Sequence, residues 1–370
     1  MIPKQTRIAV QQRVLPSYRI PFFDLLADSV KGRFCIFYGS ARKNEMLHTS
    51  AIPSTARVIR GKNIHLFGGK FYTCWQAGLL RWVRTWRPHV LIMEANPRYP
   101  SSLFTMRWMK RYQRKLIGWG LGSPVPSGFL AKVRMALRKR FIRNFDALIT
   151  YSKLGAEQYA ALGFPPERIF VAPNAVAAKP TSPPPQRGTQ FTLNKPQVLF
   201  VGRLQERKKV DVLIRACAAL PIAVQPELHI VGDGPAHRQL QEIAQDIYPE
   251  TTFYGAMHGE ALAELFSKAD LFVLPGTGGL AVQEAMSYAL PVIVGQADGT
   301  QSNLVRPKNG WILNSGSVKE LEGIMRKALS DVTRLRAMGA VSYTIVDDEV
   351  NLENMVSAFQ KAIEFVLEEA

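Results

Sequence analysis

A glycine-rich turn followed by an acid is the clearest candidate for binding chemistry in this sequence. In residues 271–294, LFVLPGTGGLAVQEAMSYALPVIV, an apolar run leads into the turn, a helical pattern and a second apolar run. Glycines let a ligand approach the backbone, and free amides at the start of a helix favour anions such as phosphate. Glu284, in the first turns of that helix, could accept hydrogen bonds from two neighbouring hydroxyls, such as those of a ribose. A lone Glu is more often a solvated helix residue, so this interpretation needs support from other residues.

Two cations stand in a second candidate stretch, 202–209, with the sequence GRLQERKK. Arg203 and Lys208 could neutralise a diphosphate, because a close pair of unit charges is worth about 4 kcal/mol gross at an effective dielectric near 20. The same residues could equally form a solvated basic loop. A third stretch, 232–235, reads G-D-G-P after an apolar run, but His237 stands in place of a third glycine. A tight turn is therefore the better interpretation of that stretch than a dinucleotide fingerprint.

Several other chemistries lack their motifs. The sequence contains no G-x-x-x-x-G-K-[ST], H-E-x-x-H, G-x-S-x-G or D-x-D, and its histidines show no metal-ligand spacing. We therefore expect no metal site.

Apolar runs and helical patterns alternate in both halves of the chain, which predicts parallel sheets covered by helices on both faces. In the first half the predicted strands are 7–12, 33–38, 89–95, 115–118, 147–151 and 168–172, and the predicted helices are 72–86, 101–114, 128–144 and 156–162. In the second half, Ser317 and Glu320 form a capping box that predicts a helix start. Both candidate stretches follow predicted strands, where ligands of such folds bind.

A proline-rich segment, 179–196, interrupts the alternation and is interpreted as a linker. It predicts a Rossmann-like domain at 1–178 and a second one at 197–348. The last segment, 349–370, has apolar residues at 352, 355, 356, 359, 363, 366 and 367, the stripe of a helix that must bury one side.

Charge is distributed unevenly between the two halves. Residues 1–185 contain 30 Lys and Arg against 7 Asp and Glu, a net charge of +23, whereas residues 186–370 contain 17 against 22, a net charge of −5. The basic half predicts an anionic partner, either a membrane surface, a phosphorylated lipid or a nucleic acid. The three widely spaced cysteines indicate a reducing compartment, and neither a signal peptide nor an apolar run of about 20 residues is apparent.

Two segments concentrate this positive charge. Residues 107–115 mix cations with aromatic side chains, and residues 128–144 carry six cations beside the apolar side chains of Phe129, Leu130, Val133, Leu137, Phe141 and Ile142. The periodicity of 128–144 predicts an amphipathic helix whose apolar side packs on the sheet while its cations face outward, which is compatible with contact to an anionic membrane.

Taken together, these segments resemble the retaining, nucleotide-sugar-dependent glycosyltransferases of the GT-B fold, family 4 of the usual classification. That family shows a G-R-L…K-G loop, a strand ending in G-D-G-P, and the segment P-x-x-E-G-F-G-x-x-x-x-E-A-M-A-x-G-x-P-V. The corresponding stretches here are 202–208, 230–235 and 275–292. Residues 151–153 and 173–176 also resemble family segments, and the resemblance covers nearly the whole chain.

The resemblance implies two Rossmann-like doubly wound domains of the α/β class facing across a cleft, with the C-terminal helix packing back on the first. It implies that Arg203 and Lys208 hold the donor diphosphate and that Glu284 binds the ribose. The donor-binding positions that it implies are Gly202, Gly232, Gly276, Thr277, Gly278, Gly279 and Leu280.

Two departures from the family are apparent. The family's first Glu, which touches the donor sugar, is Gly276 here, and the loop 118–123 lacks the His that many members place near the anomeric carbon. We therefore name no catalytic base, which the family's use of the leaving phosphate to steer the acceptor would tolerate.

The implied activity is transfer of a hexose or N-acetylhexosamine from a nucleotide diphosphate sugar to a lipid-linked or cell-envelope glycan, with retention and without metal. We expect no cofactor beyond that co-substrate, and a cytoplasmic location on the inner face of the membrane. Arg19, in the loop 14–23 after the first strand, could meet an anionic acceptor, although this loop could equally be a turn into an amphipathic helix.

Three alternatives stay open at this point. A nucleic-acid-binding protein would explain the basic half but would leave Arg203, Lys208 and Glu284 without a role, so we do not expect nucleic acid as the partner. A sugar-nucleotide epimerase shares the same two-domain plan. A nucleotide-sugar-binding relative that has lost catalysis would fit Gly276 and Leu121.

Overall fold

The computed structural model describes residues 2–30, 33–42, 45, 52–69, 72–123, 129, 131–191, 195–278, 280–296 and 304–369. The chain divides into two compact units. Unit 1 comprises Met1–Val176 with Leu352–Ala370, and unit 2 comprises Ala177–Asn351. Each unit is built on its own parallel sheet with helices, so the predicted α/β class is confirmed.

The sheet of unit 1 has seven parallel strands in the order β3-β2-β1-β6-β7-β8-β9. A separate antiparallel hairpin pairs β4 with β5. The strands are β1 (Arg7–Val14), β2 (Arg33–Gly39), β3 (Arg57–Arg60), β4 (Lys62–Leu66), β5 (Thr73–Ala77), β6 (Val90–Glu94), β7 (Lys115–Gly120), β8 (Ala147–Thr150) and β9 (Ile169–Val171). The central strands are buried on both faces, as expected for a parallel sheet covered by helices.

Helices cover both faces of this sheet. They are α1 (Ile20–Ser29), α2 (Leu79–Trp86), α3 (Pro100–Arg111), α4 (Ala131–Ile142), α5 (Lys153–Ala161) and, from the C-terminus, α12 (Leu352–Glu368). Helices α1 and α12 share one apolar core, in which the rings of Phe22 and Phe359 lie 4.9 Å apart. Helices α2 to α5 contribute to the core on the other face. The predicted return of the C-terminal helix to the first domain is therefore confirmed.

The helix predicted for 72–86 is wrong in its first part. Residues Thr73–Ala77 form strand β5, in which Cys74 and Gln76 are buried while Trp75 is 38% exposed. Gly78 then has a positive φ of 87° and precedes α2. Pairing with β4, which a local pattern does not reveal, overrides the helical pattern here.

Helix α4 also departs from the prediction. The apolar side of 128–144 was expected to pack on the sheet; residues 128 and 130 lie outside the described residues, and within Ala131–Ile142 only Phe141 and Ile142, in the last turn, are buried. Val133 and Leu137 are 54% and 61% exposed.

The sheet of unit 2 has six parallel strands in the order β12-β11-β10-β13-β14-β15. They are β10 (Gln197–Val201), β11 (Glu227–Val231), β12 (Thr251–Phe253), β13 (Leu271–Leu274), β14 (Val292–Gly295) and β15 (Gly310–Leu313). The helices are α6 (Val210–Ala219), α7 (His237–Ile247), α8 (Glu260–Lys268), α9 (Leu280–Ser287), α10 (Val318–Leu329) and α11 (Val332–Asp348).

The capping box at the start of α10 is present. The Ser317 hydroxyl accepts a hydrogen bond from the Glu320 backbone N–H at 3.2 Å. The Glu320 carboxylate in turn accepts the backbone N–H groups of Ser315 and Gly316, each at 2.9 Å. In the standard capping box this carboxylate would accept the backbone N–H of Ser317, the N-cap residue, whereas here it accepts from the residues before it. Helix α11 was not predicted.

Cys35, Cys74 and Cys217 are free and buried. Within the described ranges, none of the helices combines the length and the apolar character that crossing a bilayer would need.

Candidate functional site

Three loops of unit 2 lie side by side because β10 is placed between β11 and β13 in the sheet. Each loop leaves the carboxyl end of one of these parallel strands. Backbone hydrogen bonds join the first two loops, from Gly202 N to Val231 O at 2.9 Å and from Leu204 N to Asp233 O at 3.0 Å. A third bond, from Thr277 N to Arg207 O at 3.1 Å, joins the loop after β13 to the loop after β10.

Glycines at the contact points allow this close approach. A Cβ atom on Gly232, whose φ is 137°, would lie 1.9 Å from Gly202 O. A Cβ atom on Gly276 would lie 2.1 Å from Arg207 O and 2.5 Å from the Lys208 Cα. No side chain fits at either position without moving backbone. The Gly276 departure from the family therefore has a physical reason in this chain, because the adjoining loop occupies the space that a side chain would need.

Lys208 reaches the glycine turn. Its Nζ donates a hydrogen bond to Thr277 O at 2.6 Å, and the Arg207 guanidinium donates to the Thr277 hydroxyl at 3.0 Å. Burial, followed by the charge of Arg207, lowers the pKa of Lys208 from its usual 10.5 to about 8. Within the described part of the chain, no carboxylate pairs with Lys208. The turn therefore carries positive charge that a bound anion could neutralise.

Arg203 lies at the other end of the same loop, next to the turn after β11. Its charge is one of several causes that lower the pKa of Asp233, after the hydrogen bonds from Gly234 N–H and from His237. The structure thus brings Lys208 to the glycine turn Gly276-Thr277-Gly278 and places Arg203 toward Asp233.

Glu284 lies on α9, which starts at Leu280 directly after the turn. Burial raises the pKa of its carboxyl group, and the charge of His258 opposes this in part. No described residue donates a hydrogen bond to this carboxylate. Because a desolvated carboxylate without donors is unfavourable, two hydroxyls of a ligand would stabilise it. Gly279, the remaining predicted donor-binding position, falls outside the described residues.

Unit 1 has a cavity of about 780 Å³ at the carboxyl ends of β1, β6 and β7. Arg19 lines it and is only 5% exposed. Its guanidinium carbon lies 5.3 Å from the ring centroids of both Trp119 and Tyr151, and its Nη2 donates to the Tyr151 hydroxyl at 3.1 Å. No carboxylate among the described residues pairs with Arg19, so the cavity wall contains a second buried cation suited to an anion.

Glu94, at the end of β6, also lines this cavity and was not singled out from the sequence. Its Oε1 accepts the Arg13 backbone N–H at 2.5 Å. Burial raises the pKa of Glu94, against the lowering effects of Arg13 and of the Tyr99 hydroxyl. An acid next to the end of the predicted strand 89–95 was the signal that could have identified it.

Buried amides fix the end of β1 behind this cavity. Gln76 Nε2 donates to Gln12 O at 3.0 Å, and Asn63 Nδ2 donates to Arg13 O at 2.7 Å. The backbone that supports Arg13 and Glu94 is thereby held by side chains of the β4–β5 hairpin.

Within the part of the chain that the structure describes, no three His, Cys, Asp or Glu side chains group as metal ligands do.

Comparison with protein families gives two matches. Residues 186–343 match the family described as glycosyl transferases group 1, and residues 52–175 match the glycosyl transferase 4-like domain. The first match contains all three loops of the unit 2 site.

Curated relatives match over parts of the chain. The sulfoquinovosyl transferase SQD2 of Arabidopsis thaliana is 32% identical over 143 residues, 37% of this chain. A GDP-mannose-dependent alpha-(1-6)-phosphatidylinositol monomannoside mannosyltransferase of Mycolicibacterium smegmatis is 27% identical over 244 residues, 61% of this chain. The matched regions span 27% and 64% of the lengths of these two relatives.

Solved structures match over the whole fold. The HepE protein of Anabaena in complex with UDP has a TM-score of 0.70 at 14% identity, covering 98% of this chain and all of that one. This likeness places the chain in the GT-B fold.

Replacing Gly276 by Ala is expected to destabilise unit 2, because the new Cβ would overlap the backbone at Arg207. We expect a cost of about 1–3 kcal/mol, as for overpacked sites, measured as a lower melting temperature. Gly323 is the matched control, since a Cβ there meets no atom within 4 Å. Gly323→Ala, inside α10, should be neutral or stabilising by up to about 1 kcal/mol. Equal effects of the two substitutions would contradict the close loop contact.

Proposed function

We propose that this chain, which belongs to the glycosyl transferases group 1 family, transfers a hexose or N-acetylhexosamine from a nucleotide diphosphate sugar to a lipid-linked or cell-envelope glycan. The observation that carries the proposal is Lys208, a partly buried ammonium group held against a glycine turn without a described carboxylate partner. Such a charge is stabilised by an anion, and a diphosphate is the anion that this family's co-substrates supply.

In the proposed donor complex, the loop 202–209 and the glycine turn hold the diphosphate. Lys208 and Arg203 neutralise its charge, the backbone of the turn lies against the sugar, and the Glu284 carboxylate accepts the ribose hydroxyls. Several curated relatives are named GDP-mannose-dependent, and solved relatives were captured with UDP. These names support a nucleotide diphosphate sugar and make GDP and UDP the first probes.

The proposed reaction proceeds with retention and without metal. The bond between the anomeric carbon and the diphosphate oxygen breaks while the acceptor hydroxyl forms the new glycosidic bond on the same face of the sugar. The hydroxyl proton passes to the departing phosphate oxygen. Lys208 and Arg203 stabilise the charge that develops on the diphosphate, and each ~1.4 kcal/mol gained in the transition state raises the rate tenfold. Support comes from the two loop cations and from a sequence that lacks D-x-D.

The proposed acceptor site is the unit 1 cavity, where Arg19 would hold an anionic group of the acceptor. The M. smegmatis relative is named for a phospholipid-borne glycan, which supports a lipid-linked acceptor. We place the protein in the cytoplasm on the inner face of the membrane, consistent with the basic first half of the sequence.

A nucleotide-sugar-binding protein without turnover is the second candidate. It is favoured by Gly276, which leaves the donor sugar without the family's acid. Release of free nucleoside diphosphate together with a glycosylated product would exclude it.

The donor site is tested by thermal shift with GDP, UDP and their sugars, since ligand binding to the folded state raises the melting temperature. Lys208→Ala and Glu284→Ala should each remove most of the shift. The matched controls are Lys268→Ala and Glu264→Ala, because these side chains form an exposed ion pair on α8 of the same unit. Their shift should equal that of the unchanged protein. An undiminished shift in both site variants would refute the assigned donor site.

Binding of a nucleoside diphosphate should weaken above about pH 8, because Lys208 then loses its proton. The affinity should fall by up to tenfold per pH unit above this pKa, while the terminal phosphate, with a pKa of about 6, stays fully ionised. Lys208→Ala should bind weakly at every pH, without this decline. Since the folded-state pKa lies below the unfolded value, the ligand-free protein should gain stability from about pH 8 to 10.5. Calorimetric titration across this range measures the affinity, denaturant unfolding measures the stability, and a pH-independent affinity would contradict the role of Lys208.

Arg19→Gln should impair use of an anionic acceptor selectively. With an alkyl phosphate-linked glycosyl acceptor, KM should rise about tenfold or more, because a charge-assisted hydrogen bond is lost. With an uncharged alkyl glycoside of equal chain length, KM should change little, and nucleotide binding should be retained. Arg19→Lys should restore part of the loss. Equal effects on both acceptors would indicate a structural role for Arg19.

A further inference from the structure

Helix α4 carries apolar side chains on its solvent side. Phe129, two residues before the helix, is fully exposed, and Val133 and Leu137 are 54% and 61% exposed. Val133 and Leu137, four residues apart within α4, occupy neighbouring positions along one side of the helix, and Phe129 precedes them in the chain. Isolated exposed apolar residues are common, but an aligned row of this kind indicates an interaction surface.

Cations accompany this row. Lys132 and Arg140 are exposed on the same helix, and residues 129–143 contain no Asp or Glu. A helix with apolar side chains toward one partner and cations beside them matches the composition of segments that lie in the interface of an anionic bilayer.

The rest of this helical layer is also basic. Between α2 and α3 a groove of about 520 Å³ is lined by aromatic and apolar side chains and by Arg84, Arg87, Arg107, Arg111 and Arg114. The pKa of Arg114 is lowered by burial and then by the charges of Arg7 and Arg87, so positive charges crowd each other on this layer. An anionic surface would relieve that repulsion.

The C-terminal end of α4 faces the cavity of unit 1. Arg138, Phe141 and Ile142 line the 780 Å³ cavity in which Arg19 lies. The same helix thus lines the proposed acceptor cavity and carries the exposed apolar side chains. A bilayer against the outer side of α4 would lie next to the cavity that takes a lipid-linked acceptor.

We propose that Phe129, Val133 and Leu137, with Lys132 and Arg140, form a docking face that inserts into the interface of an anionic phospholipid bilayer. We name this surface the α4 face. This face would be the surface through which the protein contacts the membrane of the proposed function, and its biological meaning rests on that function. Binding itself requires neither donor nor turnover, so the two proposals can fail separately.

The test is co-flotation of the full chain with vesicles of phosphatidylcholine alone or mixed with phosphatidylglycerol. The unchanged protein should bind the mixed vesicles and bind pure phosphatidylcholine at least tenfold more weakly. The triple variant Phe129→Ser, Val133→Ser, Leu137→Ser should lose at least tenfold in affinity for the mixed vesicles. Lys132→Gln with Arg140→Gln should lose most of the preference for phosphatidylglycerol.

Ile222 provides the matched control, because it is 90% exposed in unit 2. Ile222→Ser should bind vesicles like the unchanged protein. In a second readout, Phe129→Trp should show a blue shift of its fluorescence on adding mixed vesicles, whereas Ile222→Trp should not. All variants should keep the melting temperature and the nucleotide-induced thermal shift, which separates lost docking from misfolding and from a failed donor site.

Two results would overturn the inference. One is equal binding of mixed vesicles by the triple variant and the unchanged protein. The other is absence of vesicle binding, and tight, salt-sensitive binding of double-stranded DNA that needs Lys132 and Arg140 would then identify nucleic acid as the partner of these cations. If vesicles are not bound but nucleotide still raises the melting temperature, the α4 face is refuted while the donor site stands.

Discussion

The unit 2 site depends on one constraint. The Lys208 ammonium group is largely removed from water, and no carboxylate of the described residues pairs with it. Burial of an ammonium group is unfavourable unless hydrogen bonds or an opposite charge compensate for it. Among the described residues Lys208 donates only to the Thr277 carbonyl, and this contact exists because Gly276 lets the two loops approach each other. Parallel strands in the order β11-β10-β13 place those loops at one edge of the sheet. The strand order of the sheet therefore positions the site, Gly232 and Gly276 allow its loops to touch, and Lys208 supplies its charge.

Unit 1 meets a similar requirement by different means. Arg19 is surrounded by aromatic faces and a phenol hydroxyl, which stabilise a guanidinium without neutralising it. A compact ammonium group in that position would lose the stacking and would be harder to desolvate. The two cations thus fit different anions. In the proposed function Lys208 makes a point contact with a diphosphate beside a backbone turn, and Arg19 faces a partly apolar cavity that Glu94 also lines.

Local sequence was sufficient for some of these features and insufficient for others. Glycines after apolar runs identified the loops, because strand ends and conformational freedom can be recognised locally. That Lys208 reaches the glycine turn follows from strand order, which no local pattern contains. Strand β5 was missed for a related reason, since its partner β4 lies in a segment without a clear period. Glu94 could have been found, because a polar residue ending a buried strand is itself a local signal.

The apolar residues of α4 recur with helical periodicity, but only some of them are buried. On an α-helix each step of four residues advances about 40° beyond a full turn. A row that begins at Val133 and continues through Leu137 therefore turns by about 80° before it reaches Phe141. Its start points to solvent and its end enters the core, because Val133 is exposed whereas Phe141 is buried. One apolar row thus serves two surfaces, and the sheet can cover only one of them. In the proposal for the α4 face, an anionic bilayer covers the other surface, and the cations beside the exposed side chains favour that partner.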